Sequence, residues 1–343
     1  MEQGISSSAR VVELDALRGI AAVAVMLYHY TTRYAEVVGH AGRLSLDFSV
    51  GMYGVHLFFL ISGFVIFMTL ERTRTGMDFV VSRFSRLFPG YWAAMAITAA
   101  VVWAVGLPQQ RIPLRDLLLN ATMVQDFLGA QELDGSYWTL QIELFFYAQM
   151  LFWFALGLLG RIRWVIAGWL LLSALAGWCQ KSGWHFSYTL GELLILRYIP
   201  FFAIGILFYR MRTRAAERRL DAAMIGLALL SIGIGQPPVL LLVAGVCCAI
   251  FALFSLGWLR FLNLPLFAFL GAISYSLYLI HQSVGFAAIW RLERAGVPAW
   301  AAVPLAMALA FALAALLSYR VEKPAMNWIR AEWRRRRTRM ELA

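Results

Sequence analysis

Apolar positions in this chain come as long unbroken runs, not as the alternating or striped patterns of soluble elements. Ten runs are long enough to cross a hydrocarbon core of roughly 30 Å. They lie near residues 14–35, 51–70, 89–106, 136–159, 164–179, 191–209, 221–235, 239–256, 265–286 and 299–319. Only Gln236, Pro237 and Pro238 part the seventh from the eighth, which predicts a tight turn between two hydrophobic helices. The pattern predicts an all-α polytopic membrane protein, a single bundle of about ten transmembrane helices. No polar segment is long enough for a second globular domain. The bundle is assigned to residues 1–325 and a basic cytoplasmic tail to 326–343.

Composition agrees with this pattern. Of 343 residues, 61% are hydrophobic and 14% charged, with a mean hydropathy of +0.70, whereas a soluble chain carries roughly a quarter charged residues. The net charge of +11 raises nucleic acid as a partner, but the placement of the cations argues against it. With both termini cytoplasmic, 21 of the 30 Lys and Arg residues fall on inner segments (Arg10 among them) and 7 on outer ones (Arg43 among them). The remaining two, Arg18 and Arg197, lie inside expected spans. Such a bias is the positive-inside signature, so most of the excess charge reads as topology and anionic-lipid contact. The run Arg334 to Arg339 reads as a membrane-surface tether. The N-terminal stretch lacks a small-residue cleavage site, so the first span is expected to be retained. Cys179, Cys247 and Cys248 have neither disulfide-framework nor metal-ligand spacing and read as packing residues.

Candidate chemistry starts in the first span, LDALRGIAAVAVMLYHYTTRY. Arg18 and His29 are eleven residues apart, three helical turns and about 20°, so they share a face about 16 Å apart along the axis. Asp15 and Ala22 lie close to the same stripe. A basic residue near the middle of a membrane helix costs on the order of 2.5–3.5 kcal/mol on insertion scales, so two ionisable groups aligned on one face suggest a lined cavity. His56, Glu143 and His281 fall in or beside other spans, and the topology puts all of them with His29 in the outer half. An interfacial location would explain either extra histidine equally well. Glu143 has no arginine beside it in sequence and, if buried, needs a partner or a proton.

A second constellation lies on the inner side, in ERTRTGMDFVVSRFSRLFPGYW. It predicts a short interfacial helix that presents Arg83 and Arg86 three residues apart and is stopped by Pro89 and Gly90. Paired guanidiniums bind phosphate oxygens bidentately, although plain headgroup contact also accounts for them. No glycine loop of the Walker or dinucleotide type is present.

These residues carry a resemblance. The Arg, ten residues, His spacing of LDALRGIAAVAVMLYHY resembles that of the membrane acyltransferase-3 family. The likeness continues through GVHLFFLISGFVIF, RFSRLFPGYW, SYWTLQIELFFY, ISYSLYLIHQ and YRVEKP, in the family's order, over roughly residues 10–325. The resemblance implies a ten-helix core in a bacterial cytoplasmic (inner) membrane and an acyl-CoA donor on the cytoplasmic side, most often acetyl-CoA. It also implies an acceptor hydroxyl on an extracytoplasmic glycan, with polysaccharide-assembly machinery as a possible neighbour and no metal. The appended extracytoplasmic hydrolase-like domain of some members is not expected.

On that reading His29, Arg18 and Glu143 are the catalytic candidates, with His29 as general base and Glu143 orienting it or handling the proton afterwards. Arg18, Arg83 and Arg86 are the candidates for the coenzyme's phosphates. His56, Tyr137, Trp138 and His281 are weaker candidates for lining the substrate site. The outer segment 107–135, with Asp126, Asp134 and Trp184 on the same side, is expected to hold the acceptor. A proton-coupled transporter is the competing reading, since buried His, Arg and Glu also make relays. No internal repeat or pair of Gly/Pro-broken spans favours it.

Overall fold

The computed structural model describes residues 11–342 except 43 and 45, so Arg10 and Arg43, counted above, lie outside the described residues. All regular structure among the described residues is helical. The long helices are α1 (Val12–Tyr28), α2 (Gly54–Glu71), α3 (Gly76–Val105), α4 (Trp138–Ala155), α5 (Ile162–Lys181) and α6 (Ile199–Thr213). They continue with α7 (Arg218–Gly235), α8 (Pro238–Ser255), α9 (Pro265–Arg294), α10 (Ala299–Leu317) and α11 (Lys323–Leu342). Among the described residues, six stretches are long and apolar enough to cross a membrane: Ser49–Glu71, Gly76–Val105, Leu158–Lys181, Pro238–Ser255, Pro265–Arg294 and Ala299–Arg339. The other helices fall where the remaining runs were expected, α1 and α6 with only 17 and 15 residues.

The centre of the bundle is built from α1, α2, α6 and α9. Helix α6 is apolar all round and buried from Ile199 through Arg210, as a helix with no polar face must be. It packs along α2, while α1 packs along α9. The α1–α9 approach is close: a Cβ on Gly19 would lie 2.6 Å from the backbone of Leu270, and one on Gly271 would lie 2.6 Å from that of Asp15. Glycine on both sides is what lets these two helices touch.

Two local structures differ from expectation. Residues 76–105 form one continuous helix with Pro89 inside it, so Arg83 and Arg86 do not sit on a separate interfacial helix. Proline removes one N–H and frees the carbonyl of Ser85; packing of α3 against α9 and α11 carries the helix through. Its N-terminus is fixed by a capping box in which Thr75 Oγ1 accepts from Asp78 N and Asp78 accepts from Thr75 N. The run 191–209 is also broken. The short helix Tyr188–Leu193 ends before α6, and Ile195 between them has φ +48°. Arg197 therefore lies in a turn rather than within a helix.

Several basic residues expected at the lipid surface are ion-paired inside the protein. Asp221, fully buried, binds Arg163 at 2.7 Å and the buried Arg210 at 3.1 Å. Glu217 binds the same two arginines at 2.6 and 2.5 Å. This network clamps α5, α6 and α7. Helix α11 is docked rather than loose: Trp333 Nε1 and Arg337 donate to Asp78 at 2.8 and 3.0 Å, and Arg330 donates to Ser85 and Ser82. Arg337 is thus held by protein rather than by lipid alone.

The segment between α3 and α4 is folded tightly. Asn120, fully buried, bonds the backbone of Asp116, Gln131 and Leu133, and Tyr91 donates to the Asn120 carbonyl. Glu132 accepts from Gln125, and burial together with nearby Asp126 and Asp134 pushes its carboxyl up to about 7.

Candidate functional site

His29 opens a π turn, His29–Arg33, at the end of α1. The widened turn adds a residue to the helical ring, a device common where a side chain must be re-aimed. His29 Nδ1 lies 2.9 Å from the carbonyl of Val25 and 3.0 Å from Nε2 of His281. His281 Nδ1 lies 2.8 Å from the carbonyl of Tyr278. A carbonyl can only accept, so His281 carries its proton on Nδ1 and offers a lone pair at Nε2. His29 then donates from Nδ1, shared between Val25 and His281. Its Nε2 is left with a free lone pair, and no hydrogen bond occupies it among the described residues.

His281 is itself fixed on both sides. Tyr30 donates to its carbonyl at 2.7 Å, passing over Gly285, where any Cβ would overlap the Tyr30 hydroxyl. The carboxylate of Asp134, 1% exposed, accepts from Ser136 N and Oγ at one oxygen and from Ser283 N at the other. Asp134 thus ties the segment between α3 and α4 to α9, two residues from His281.

His29 lines a cavity of about 490 Å³, together with His56, Trp138, Tyr53 and Tyr198. His56 packs on Phe201, and its ring nitrogens have no side-chain partner, only the Tyr53 backbone lying within reach. Towards the other side lies a smaller pocket of about 40 Å³, lined by Arg18, Ser62, Glu143, Tyr275 and Phe58. Val55 and Tyr278 line both, and with Val25 they form one apolar cluster that separates the two spaces.

The expected members of the site thus divide. His29, His56 and Trp138 share the large cavity, with His281 directly behind His29. Glu143 does not orient His29. It accepts from Ser62 at 2.8 Å and Tyr147 at 2.5 Å in the smaller pocket with Arg18, and His281 holds the histidine instead. Tyr137 is not a lining residue. It is fully buried against Tyr91 and donates to the Leu279 carbonyl.

The two arginines of α3 also part company. Arg86 is paired with Glu322, whose other oxygen accepts from Ser276 at 2.6 Å, and it lies over the Tyr275 ring. It is therefore a half-buried strut engaged by a carboxylate, not a free phosphate receptor. Arg83 lies over the Phe79 and Tyr147 rings and donates to Ser82, with Nε unpartnered. Arg330 from α11 bonds Ser82 and Ser85 on the same stretch of α3. In the sequence Arg330 stands near a cluster of five arginines, Arg334 to Arg337 and Arg339, and has no visible link to position 83. Among the described residues no group of three or more His, Cys, Asp and Glu side chains is arranged to hold a metal.

The family model described as Acyltransferase domain, of the acyltransferase-3 type, matches residues 11–319. Among curated proteins, the exopolysaccharide production protein ExoZ of Rhizobium meliloti (strain 1021) is 29% identical over 277 residues, 75% of this chain and 80% of the relative. Nodulation protein 10 of Rhizobium leguminosarum bv. viciae is 28% identical over 215 residues, 53% of this chain and 54% of the relative. No solved structure matches.

Proposed function

The chain belongs to the acyltransferase-3 family, and from that premise we propose that it is an acyl-CoA-dependent O-acyltransferase of a bacterial cytoplasmic membrane. It moves an acyl group, most simply acetyl from acetyl-CoA, to a hydroxyl of an extracytoplasmic glycan of the exopolysaccharide or lipopolysaccharide kind. Both termini lie in the cytoplasm, and ten helices make up the membrane core.

One observation carries the reading. His29 is held at Nδ1 by Val25 and His281, which leaves Nε2 free, and the residue lines a cavity large enough for a ligand. In the reaction, Nε2 takes the proton of the acceptor hydroxyl as that oxygen bonds to the thioester carbonyl carbon. The carbon–sulfur bond then breaks, and the leaving thiolate of coenzyme A takes the proton from His29 Nε2, which returns the imidazole to its neutral form. His281 keeps the imidazole in the tautomer that has its lone pair towards the acceptor.

Donor phosphates are met on the inner side by Arg83 and Arg330, with Arg18 further along the path. Arg86, engaged by Glu322, holds α3 to the π turn Ser318–Glu322. The pantetheine arm follows the small pocket past Glu143 and reaches the large cavity by displacing the Val55–Tyr278 partition.

The test uses membranes holding the protein, labelled acetyl-CoA and a crude glycan acceptor. Label should enter an alkali-labile ester, and His29→Ala should abolish this while the protein still accumulates. Equal transfer by His29→Ala would remove the assigned base.

A further inference from the structure

The large cavity carries two guanidiniums that acyl transfer to a neutral hydroxyl does not require. Arg33 ends the π turn opened by His29, and Arg197 comes from the turn between Leu193 and α6. No Asp or Glu lines this cavity among the described residues. Arg33 is partly neutralised by Glu36 at 2.9 Å. Arg197 makes no ion pair among the described residues, although Glu192 feels its charge.

The turn that presents Arg197 is strained and braced. Ile195, a β-branched residue, stands at φ +48°, a conformation that persists only where surrounding structure enforces it. Ser173 Oγ donates to the Leu196 carbonyl at 2.7 Å, and Gln236 Nε2 donates to the Arg197 carbonyl at 2.9 Å. Helix α5 and the turn between α7 and α8 thus hold the backbone at the arginine. His56, only 6% exposed in the same cavity wall, has no side-chain partner, and only the Tyr53 backbone is within reach of its ring, which leaves at least one nitrogen unpartnered. Buried polar groups normally find partners, so a polar occupant is missing from its account. The cavity volume also falls within the roughly 300–1,000 Å³ of small-molecule sites.

We infer that the acceptor is an anionic glycan: the sugar bearing the acylated hydroxyl carries a carboxylate or phosphate close by, which Arg197 and Arg33 receive while His56 bonds the sugar. The inference rests on the acyltransferase reading, but its test does not need turnover. Purified full-length protein would be titrated with three matched probes: a neutral oligosaccharide, its glucuronate-bearing counterpart, and the neutral sugar joined to a prenyl phosphate. Equilibrium binding would be measured at low and high salt, with acetyl-CoA binding read in parallel.

The expected result is about tenfold or stronger preference for an anionic probe, weakened by salt. The better of the two anionic probes identifies a sugar carboxylate or a lipid phosphate as the source. Arg197→Gln should erase the preference with acetyl-CoA binding unchanged, and Arg197→Lys should retain part of it. Arg33→Gln gives a second reading should Arg197→Gln not fold. Equal binding of neutral and anionic probes by wild type would overturn the inference, as would an equal loss for all probes in both variants. Anion preference without ester formation would leave the inference standing and count against the acyltransferase reading instead.

Discussion

His281 Nε2 lies 3.0 Å from His29 Nδ1, with the proton on the His29 side. Because the Tyr278 carbonyl fixes the His281 tautomer, a residue 252 positions away in sequence sets which nitrogen of His29 is free. His281→Ala should lower kcat by about 10–100-fold with little change in either KM, since it removes orientation without removing the base. His281→Gln, whose side-chain oxygen can also accept, should recover part of the loss. Steady-state kinetics on both substrates check this; a change confined to KM would assign His281 to binding.

Arg83 and Arg86, three residues apart, should behave differently. Arg83→Ala and Arg330→Ala each remove a cation at the donor entrance and should raise the KM for acetyl-CoA about 5- to 30-fold, with acceptor KM unchanged. Arg86→Ala strands Glu322 in the bundle and should cost about 3–5 kcal/mol of stability. Donor kinetics and thermal unfolding in detergent separate the two outcomes.

Asp221 offers a test of the fold that leaves the reaction aside. It is fully buried and bonds both Arg163 and Arg210, so Asp221→Ala leaves Arg210 in a low-dielectric site with Glu217 as its remaining acid. A loss of about 3–5 kcal/mol is expected, seen as a lowered midpoint of unfolding. A shift within experimental error would mean that the clamp is not structural.

Glu132 predicts a pH dependence in the segment between α3 and α4. Its folded pKa, about 7, lies above the ordinary value of 4.5, so the folded state holds its proton longer than the unfolded state. The contribution is therefore full below 4.5, is lost as pH rises to about 7, and stays lost above that. Protease susceptibility of residues 107–135 should increase across this window, and Glu132→Gln should flatten the profile. An unchanged profile in the variant would remove Glu132 as its cause.

Helix positions were legible because apolar runs of this length have few other uses, and the Arg18–His29 spacing pointed to a lined interior. What could not be read were pairings that only the packing creates. Glu143 was matched to His29 by depth, yet Ser62 and Tyr147 take its oxygens, and His281 takes the place assigned to it. Arg86 looked like half of a phosphate clamp because Glu322, its partner, is 236 residues away. Pro89 looked like a helix stop, but tertiary contacts to α9 and α11 override its local preference. Arg197 looked buried in a span because the turn at Ile195 has no glycine or proline to mark it.

The core claim is that donor and acceptor meet at His29 from opposite faces of the membrane. Inside-out vesicles carrying the protein, with acceptor glycan sealed in the lumen and labelled acetyl-CoA added outside, measure it directly. The account predicts alkali-labile label accumulating on the luminal glycan for wild type and none for His29→Ala at equal protein level. Luminal label of equal amount with His29→Ala, or label only when acetyl-CoA is sealed in with the glycan, would contradict it.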